Sequence, residues 1–191
     1  MPPQKKEKRY LLFGYGSLNV PIIEGLTGTQ LPFKPQPAFI KNHVRIFAGY
    51  SEYWKGAVAS IHPHPGRRVY GSVVYLTKAE IASLDEYEGV SLGLGEGGYS
   101  RVKRVVYVQE PIRTPNSQQP RYKKRVAYVY IRNETDFEAP PSEKYLNSIR
   151  TNLSAVGNLE HDNIPLYAIV SAGKPVLVQI VRSSRPPTLK N

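Results

Sequence analysis

The chain has 191 residues, of which 40% are hydrophobic, and this is enough to build one domain with a sizeable core. It contains no cysteine, so disulfide bonds, zinc–thiolate sites and a cysteine nucleophile are excluded. The formal net charge is +11, from 26 Lys and Arg against 15 Asp and Glu, which suits nucleic acid, another polyanion or small acidic substrates. No apolar run is long enough for a membrane span or a signal peptide, and we therefore expect a soluble, cytoplasmic protein.

A short apolar stretch at residues 10–15 predicts the first strand, after a polar tail at residues 1–9. The strand breaks into Gly14-Tyr15-Gly16-Ser17, whose glycines permit backbone angles that other residues rarely adopt. A buried strand that ends in such a turn brings backbone N–H groups to the sheet edge, where they suit an anion or a developing oxyanion. The structural alternative is an ordinary buried strand followed by a tight turn.

The next elements alternate between extended and helical patterns. They are predicted in chain order as a short helix at 21–26 capped by Asn19, a loop at 27–37, an extended segment at 38–50, a strand at 57–61, a His-Pro-His-Pro-Gly turn at 62–66, and a strand at 69–76.

The clearest helix begins at Thr77, where Glu80 completes a capping box, and ends at Gly89. Its periodicity places Glu88 on the apolar face, in angle between Ile81 and Leu84. Burial and the negative end of the helix dipole both raise the pKa of a glutamate there, which is how a general acid–base is made. The alternative is that the last turn frays and Glu88 reaches solvent.

The second half begins with a glycine-rich loop at 92–98 and a predicted hairpin of strands at 99–109 and 121–132. A helix starting at Ser142 follows, and further elements are predicted as a short helix at 164–172, a strand at 176–181 and a polar tail at 183–191. This order predicts a single α+β or small closed-barrel domain spanning residues 10–182.

Other chemical signals are weak. His62 and His64 could share one face of a strand, but no third ligand accompanies them, so we expect no metal site. The chain has neither a Gly-x-Ser-x-Gly nucleophile elbow nor a Walker phosphate loop. Tyrosines alternate with basic residues only near residues 122–130, and nucleic-acid binding ranks below an enzymatic function once the resemblance described next is added.

Two motifs occur together in this chain. The first is Phe-Gly-Tyr-Gly-Ser-Leu at 13–18, and the second is Leu-Asp-Glu-Tyr-Glu-Gly-Val at 84–90, followed by Gly98-Tyr99. Together they resemble the γ-glutamylcyclotransferase family. The segment Ala-Pro-Pro-Ser at 139–142, with Tyr145 after it, is similar to the stretch before the last main helix of that family. The resemblance covers about residues 10–170, and the order and spacing of the motifs carry it.

The resemblance implies a small mixed β-barrel with flanking helices and an enzyme of the lyase or acyltransferase type that needs no cofactor. Its reaction would close the γ-glutamyl group into 5-oxoproline and release an amine or amino acid, as in glutathione metabolism. Glu88 would move the protons. The residues implied to bind substrate are Tyr15, Gly16, Ser17 and Leu18 through backbone N–H groups, and the pocket tyrosines Tyr99, Tyr128 and Tyr145.

One departure from the family pattern lies at Leu18 and Asn19, where the best-known branch continues Tyr-Gly-Ser with Asn. The expected partner is a small γ-glutamyl substrate, with no nucleic acid and no membrane, and a homodimer is one option for the oligomeric state. The alternative function is that of a non-catalytic member of the same fold, which binds an anionic ligand or partner through its basic surface.

Overall fold

The computed structural model of the protein describes residues 7–90, 98–111, 119–157, 164–171 and 175–180. Within these residues the elements, in chain order, are β1 (Tyr10–Gly14), α1 (Val20–Thr27), β2 (Gln36–Ser51), β3 (Gly56–Leu76), α2 (Lys78–Tyr87), β4 (Tyr99–Gln109), β5 (Tyr122–Arg132), α3 (Glu143–Ser154), β6 (Tyr167–Ser171) and β7 (Pro175–Gln179). Three predicted segments lie wholly or partly outside the described residues. These are all of the tail at 183–191, residues 1–6 of the tail at 1–9, and residues 92–97 of the loop at 92–98.

Five strands form a closed barrel in the order β1-β3-β2-β4-β5. Neighbours pair antiparallel except at the closing seam, where β1 and β5 run parallel and Leu12 lies opposite Tyr128. Strands β6 and β7 form a separate antiparallel pair. The α+β prediction of a small mixed barrel with flanking helices is therefore confirmed.

Alternation along β1 explains how the barrel is covered. Phe13 faces the inner core together with Phe47 and Val73, all of them essentially inaccessible to solvent. Leu12 faces outward, into a second apolar cluster that includes Leu84 of α2. Helix α2 is thereby held over the barrel near the end of β1.

Local capping signals are confirmed at all three helices. The side chains of Asn19, Thr77 and Ser142 accept hydrogen bonds from backbone N–H groups at the starts of α1, α2 and α3. The carboxylate of Glu80 accepts a hydrogen bond from the backbone N–H of Thr77, and this bond completes the predicted capping box. No helix among the described residues is long and apolar enough to cross a membrane.

Two sequence predictions of local structure are wrong. The predicted turn at 62–66 is part of the long strand β3, where a shift of register opposite Asn42 absorbs the extra residues. Gly66 adopts a φ of 78° there and donates to Oδ1 of Asn42 over 3.1 Å. The predicted helix at 164–172 is strand β6, because it pairs with β7 and packs Ile169 against Val44 of β2.

Candidate active site

A cavity of about 610 Å³ opens where β1 ends. Seven of the eight residues predicted for the site line it: Tyr15, Gly16, Ser17, Leu18, Glu88, Tyr99 and Tyr145. The turn after β1 forms one part of the wall, and the end of α2 brings Glu88 to it. These two motifs are about 70 residues apart in sequence, and they meet because Leu12 and Leu84 share one apolar cluster.

The turn after β1 is held from behind by Asn152, a buried residue of α3. Its Nδ2 donates to the carbonyl oxygen of Gly14 over 3.1 Å and to that of Gly16 over 3.4 Å. Its Oδ1 accepts a hydrogen bond of 2.7 Å from the hydroxyl of Ser72. The amide therefore bonds to two carbonyl groups of the turn and to the neighbouring strand β3.

Two further side chains donate hydrogen bonds to the carbonyl groups of Tyr15 and Ser17 in the same turn. Nε of the buried Arg45 donates to the carbonyl oxygen of Tyr15 over 3.0 Å, and Oγ of Ser148 donates to that of Ser17 over 3.3 Å. In a trans peptide the N–H of the next residue points away from the carbonyl, and the described residues contain no cis bond. Four N–H groups therefore point away from these partners, and they belong to Tyr15, Gly16, Ser17 and Leu18.

Both glycines of the turn have close neighbours, and close approach requires a glycine at position 14. A Cβ on Gly16 would lie 3.3 Å from the hydroxyl of Tyr145 and 3.6 Å from Cβ of Ala59. A Cβ on Gly14 would lie 2.9 Å from the carbonyl oxygen of Leu18, a backbone atom that cannot move aside. The turn can therefore be this tight only without a side chain at position 14, whereas a Cβ at position 16 would require the Tyr145 hydroxyl to shift by a few tenths of an ångström.

Glu88 occupies the C-cap of α2, with its N–H bonded to the carbonyl of Leu84 over 2.9 Å and its carbonyl accepting from the N–H of Tyr99 over 3.1 Å. The backbone on both sides of the carboxylate is thus fixed. Desolvation raises the pKa of the Glu88 carboxyl to about 7, against a lowering effect of the Arg132 guanidinium. The group is therefore set to accept and release protons near neutral pH.

Three tyrosines line the cavity together with Glu88, and the hydroxyl of each is hydrogen-bonded to a backbone group. The hydroxyl of Tyr99 donates to the carbonyl oxygen of Ala59 over 2.9 Å, and the hydroxyl of Tyr145 accepts from the N–H of the same residue over 2.8 Å. The hydroxyl of Tyr15 donates to the carbonyl oxygen of Tyr130 over 2.5 Å. Burial, with a further electrostatic contribution from Glu88, raises the pKa of all three phenols, so they stay neutral and keep their protons.

One predicted position is corrected. Tyr128 lies in a separate groove at the seam between β1 and β5, and it does not line the cavity. Tyr130, two residues further along the same strand, lines the cavity instead. Tyr128 and Tyr130 are two residues apart, so both side chains lie on the same face of β5 and strand periodicity does not distinguish them. The position of β5 against β1 decides which of the two reaches the cavity.

Sequence reasoning missed Arg132 and an aromatic rim of Tyr53, Trp54 and Tyr87. Arg132 ends β5, pairs with Glu134 over 2.9 Å and lies with its guanidinium 5.8 Å from the ring centre of Tyr99. Arg132 directly follows the apolar and aromatic run at residues 126–131, and a charged residue at the end of such a run is a signal that could have identified it. Within the described residues, Glu88 and Arg132 are the charged residues that line the cavity.

The arrangement combines one proton-transferring carboxylate, a turn with N–H groups and a wall of neutral phenols. Among the residues that the structure describes, no group of three or more His, Asp or Glu side chains is placed to hold a metal ion. The carboxylate can transfer protons, and the N–H groups of the turn can donate hydrogen bonds to an anion or oxyanion.

The raised pKa of Glu88 predicts that stability depends on pH. The folded state binds more protons than the unfolded state between pH 4.5, the ordinary value, and about 7, so the free energy of unfolding falls as pH rises through this window. We expect Glu88→Gln to match the wild type at pH 4 and to exceed it by about 2 to 3 kcal/mol at pH 8. Thermal unfolding of both proteins across this range measures the effect, and parallel curves would contradict it.

Comparisons with known sequences agree on one family. The family model described as gamma-glutamyl cyclotransferase, AIG2-like, matches residues 12–147. A bovine (Bos taurus) protein named gamma-glutamylcyclotransferase is 34% identical over 113 residues, which cover 53% of this chain and 56% of that protein. A mouse (Mus musculus) protein of the same name is 48% identical over 44 residues, or 23% of each chain. The chain thus aligns with about half or less of the length of these curated relatives.

Solved structures show the same architecture. One named gamma-glutamyl cyclotransferase has a TM-score of 0.61 and 26% identity, and covers 82% of this chain and 88% of its own. An uncharacterized protein from Homo sapiens also has a TM-score of 0.61, with 27% identity and coverage of 83% and 89%. The motifs, the barrel and the matched family model lead to one conclusion: this chain belongs to the gamma-glutamyl cyclotransferase, AIG2-like family.

Proposed function

We propose that the protein is a cofactor-independent γ-glutamyl cyclotransferase. It would convert a γ-glutamyl amino acid or a related amide into 5-oxoproline and a free amino acid or amine. The single observation that carries this proposal is that Glu88 and the turn at Tyr15-Gly16-Ser17 line one cavity. A proton acceptor thereby lies in the same enclosure as the N–H groups that stabilise negative charge.

The proposed reaction begins with proton transfer. The substrate α-ammonium gives a proton to the Glu88 carboxylate, because only the neutral amine has a lone pair for attack. The amine nitrogen then bonds to the γ-carbonyl carbon, and the carbonyl oxygen becomes an oxyanion. When the bond to the leaving nitrogen breaks, the oxyanion re-forms the carbonyl group and Glu88 returns its proton to the leaving nitrogen. Glu88 then takes the second proton of the attacking nitrogen and passes it to the released amine, which leaves as an ammonium ion. A pKa of about 7 suits both transfers, since neither protonation state is strongly favoured near neutral pH.

The turn after β1 would bind the negatively charged groups of the substrate. In this proposal its four N–H groups hold the substrate α-carboxylate and the developing oxyanion, because both need hydrogen-bond donors. The neutral hydroxyls of Tyr99 and Tyr145 would help to keep the substrate bent, with the amine against the γ-carbonyl. Such positioning restricts the rotatable bonds between the two reacting groups and so lowers the entropic cost of closing the ring.

Direct product analysis tests the proposal. We expect the purified protein to release 5-oxoproline from γ-glutamyl amino acids and amides, as measured by chromatography. The matched control is an α-glutamyl dipeptide, which has the same atoms but no γ-amide to cleave, and from which no product is expected. Absence of 5-oxoproline across a panel of γ-glutamyl substrates would contradict the proposed function and would favour the non-catalytic alternative.

A further inference from the structure

A second groove lies at the opposite end of β1 from the catalytic cavity. Its volume is about 430 Å³, and it shares no lining residue with the cavity. We name it the seam groove, because it follows the parallel junction between β1 and β5. The residues that line it are Lys8, Arg9, Tyr10, Leu11, Tyr75, Lys103, Arg125, Val126, Ala127 and Tyr128.

Four of these residues are cations, and none of the lining residues is acidic. Arg9 pairs with Glu80 over 3.3 Å, so its charge is partly balanced. Lys8, Lys103 and Arg125 form no ion pair with a carboxylate of the described residues. The groove thus concentrates about three unbalanced positive charges.

Aromatic rings hold two of the cationic side chains in place. Nζ of Lys8 lies 5.3 Å from the ring centre of Tyr10, and Nζ of Lys103 lies 5.8 Å from that of Tyr128. The two rings lie 6.0 Å apart and tilt against each other. Cations held in this way lose less side-chain freedom when they bind an anion. A base would have to stack on a ring face, and the lysine ammonium groups already lie over the faces of these rings. The groove is therefore better suited to a compact anion than to stacked bases.

The strands that form this side of the barrel increase the positive potential. Apart from Arg101 and Arg132, which pair with Asp85 and Glu134, strands β4 and β5 contain five Lys or Arg residues, and neither strand contains an Asp or Glu. A concave site with low-dielectric walls focuses such a field and attracts anions of high charge density. A single carboxylate would neutralise only one of the three free cations, whereas clustered phosphate groups would match all of them.

We propose that the seam groove binds a compact ligand with clustered phosphate groups, either a soluble oligophosphate or the headgroup of a phosphoinositide lipid. Lys8, Lys103 and Arg125 supply the charge, and Tyr10 and Tyr128 hold the lysines in place. This binding is independent of the catalytic cavity and does not require the proposed cyclotransferase activity.

Calorimetric titration with tripolyphosphate at low salt tests the site. We expect saturable binding to the wild type and a loss of about tenfold or more in the double variant K103Q/R125Q, because two charge-assisted hydrogen bonds are removed. The matched control is K123Q/K124Q, which removes the same charge from the same part of the barrel but outside the groove. We expect the control to change the affinity less than about threefold, through long-range electrostatics alone. Thermal unfolding of both variants checks that they remain folded.

A second titration distinguishes the two sources of phosphate. Vesicles that contain a phosphoinositide are compared with vesicles of the same net charge made with phosphatidylserine. Tripolyphosphate binding without preference for the phosphoinositide vesicles over the phosphatidylserine vesicles identifies a soluble ligand, and preferential binding of the phosphoinositide vesicles identifies a headgroup. Absence of saturable binding to both probes would overturn the proposal. Equal losses in the two double variants would also overturn it, since net charge rather than the groove would then be responsible.

Discussion

Replacing Glu88 by Gln is expected to lower kcat/KM for 5-oxoproline formation by about 10²- to 10⁴-fold, the usual contribution of a general acid–base. Glutamine keeps the size and the hydrogen-bonding shape of the side chain but cannot carry a proton between two nitrogens. Because the carboxylate serves the transition state more than substrate binding, most of the loss should fall on kcat. Initial rates of product formation, measured over a range of substrate concentrations, give both constants.

Glu86→Gln is the matched control, because Glu86 is exposed on the other side of the same helix turn. It removes one carboxylate two residues away, and we expect wild-type rates. The wild-type kcat should also rise with pH through a pKa near 7, as the base form of Glu88 becomes populated, and this rise should be absent in Glu88→Gln. Full activity of Glu88→Gln beside an active wild type would refute the role of this residue and leave the family assignment intact.

Truncating Asn152 to Ala is expected to lower the free energy of unfolding by about 2 to 4 kcal/mol. The substitution leaves the carbonyl groups of Gly14 and Gly16 and the hydroxyl of Ser72 without the amide that they contact. Unsatisfied carbonyls are free to turn, so the turn after β1 should also lose its fixed direction. We therefore expect a raised KM together with the lost stability, as measured by urea unfolding and steady-state kinetics.

Asn147→Ala provides the comparison on the same helix. Asn147 is exposed and contacts Arg150 on the surface, away from the turn. Its replacement should change the free energy of unfolding by less than about 0.5 kcal/mol. If Asn152→Ala lost stability but kept the wild-type KM at a temperature where it is folded, Asn152 would support the core without positioning the turn.

The parts of the fold that the sequence predicted depend on short-range interactions. Thr77 and Glu80 are three residues apart, and their mutual hydrogen bonds follow from helix geometry whatever the rest of the chain does. The inward position of Glu88 follows from the same local periodicity. By contrast, the apolar run at 164–172 fits a buried helix or a strand equally well, and its pairing with β7 decides between them.

For the candidate site, the sequence alone determined which groups have the right chemistry: the glycine turn after the first strand, the glutamate at the end of a helix and several tyrosines. Only the tertiary structure decided which of them meet. Barrel closure brings Tyr130 rather than Tyr128 to the cavity, adds Arg132 beside Glu88, and places Asn152 behind the turn. The physical reason is that periodicity along one strand or helix fixes the face on which a side chain lies. The residues that this side chain contacts depend on strand register and helix docking, and these are set by the packing of the whole core.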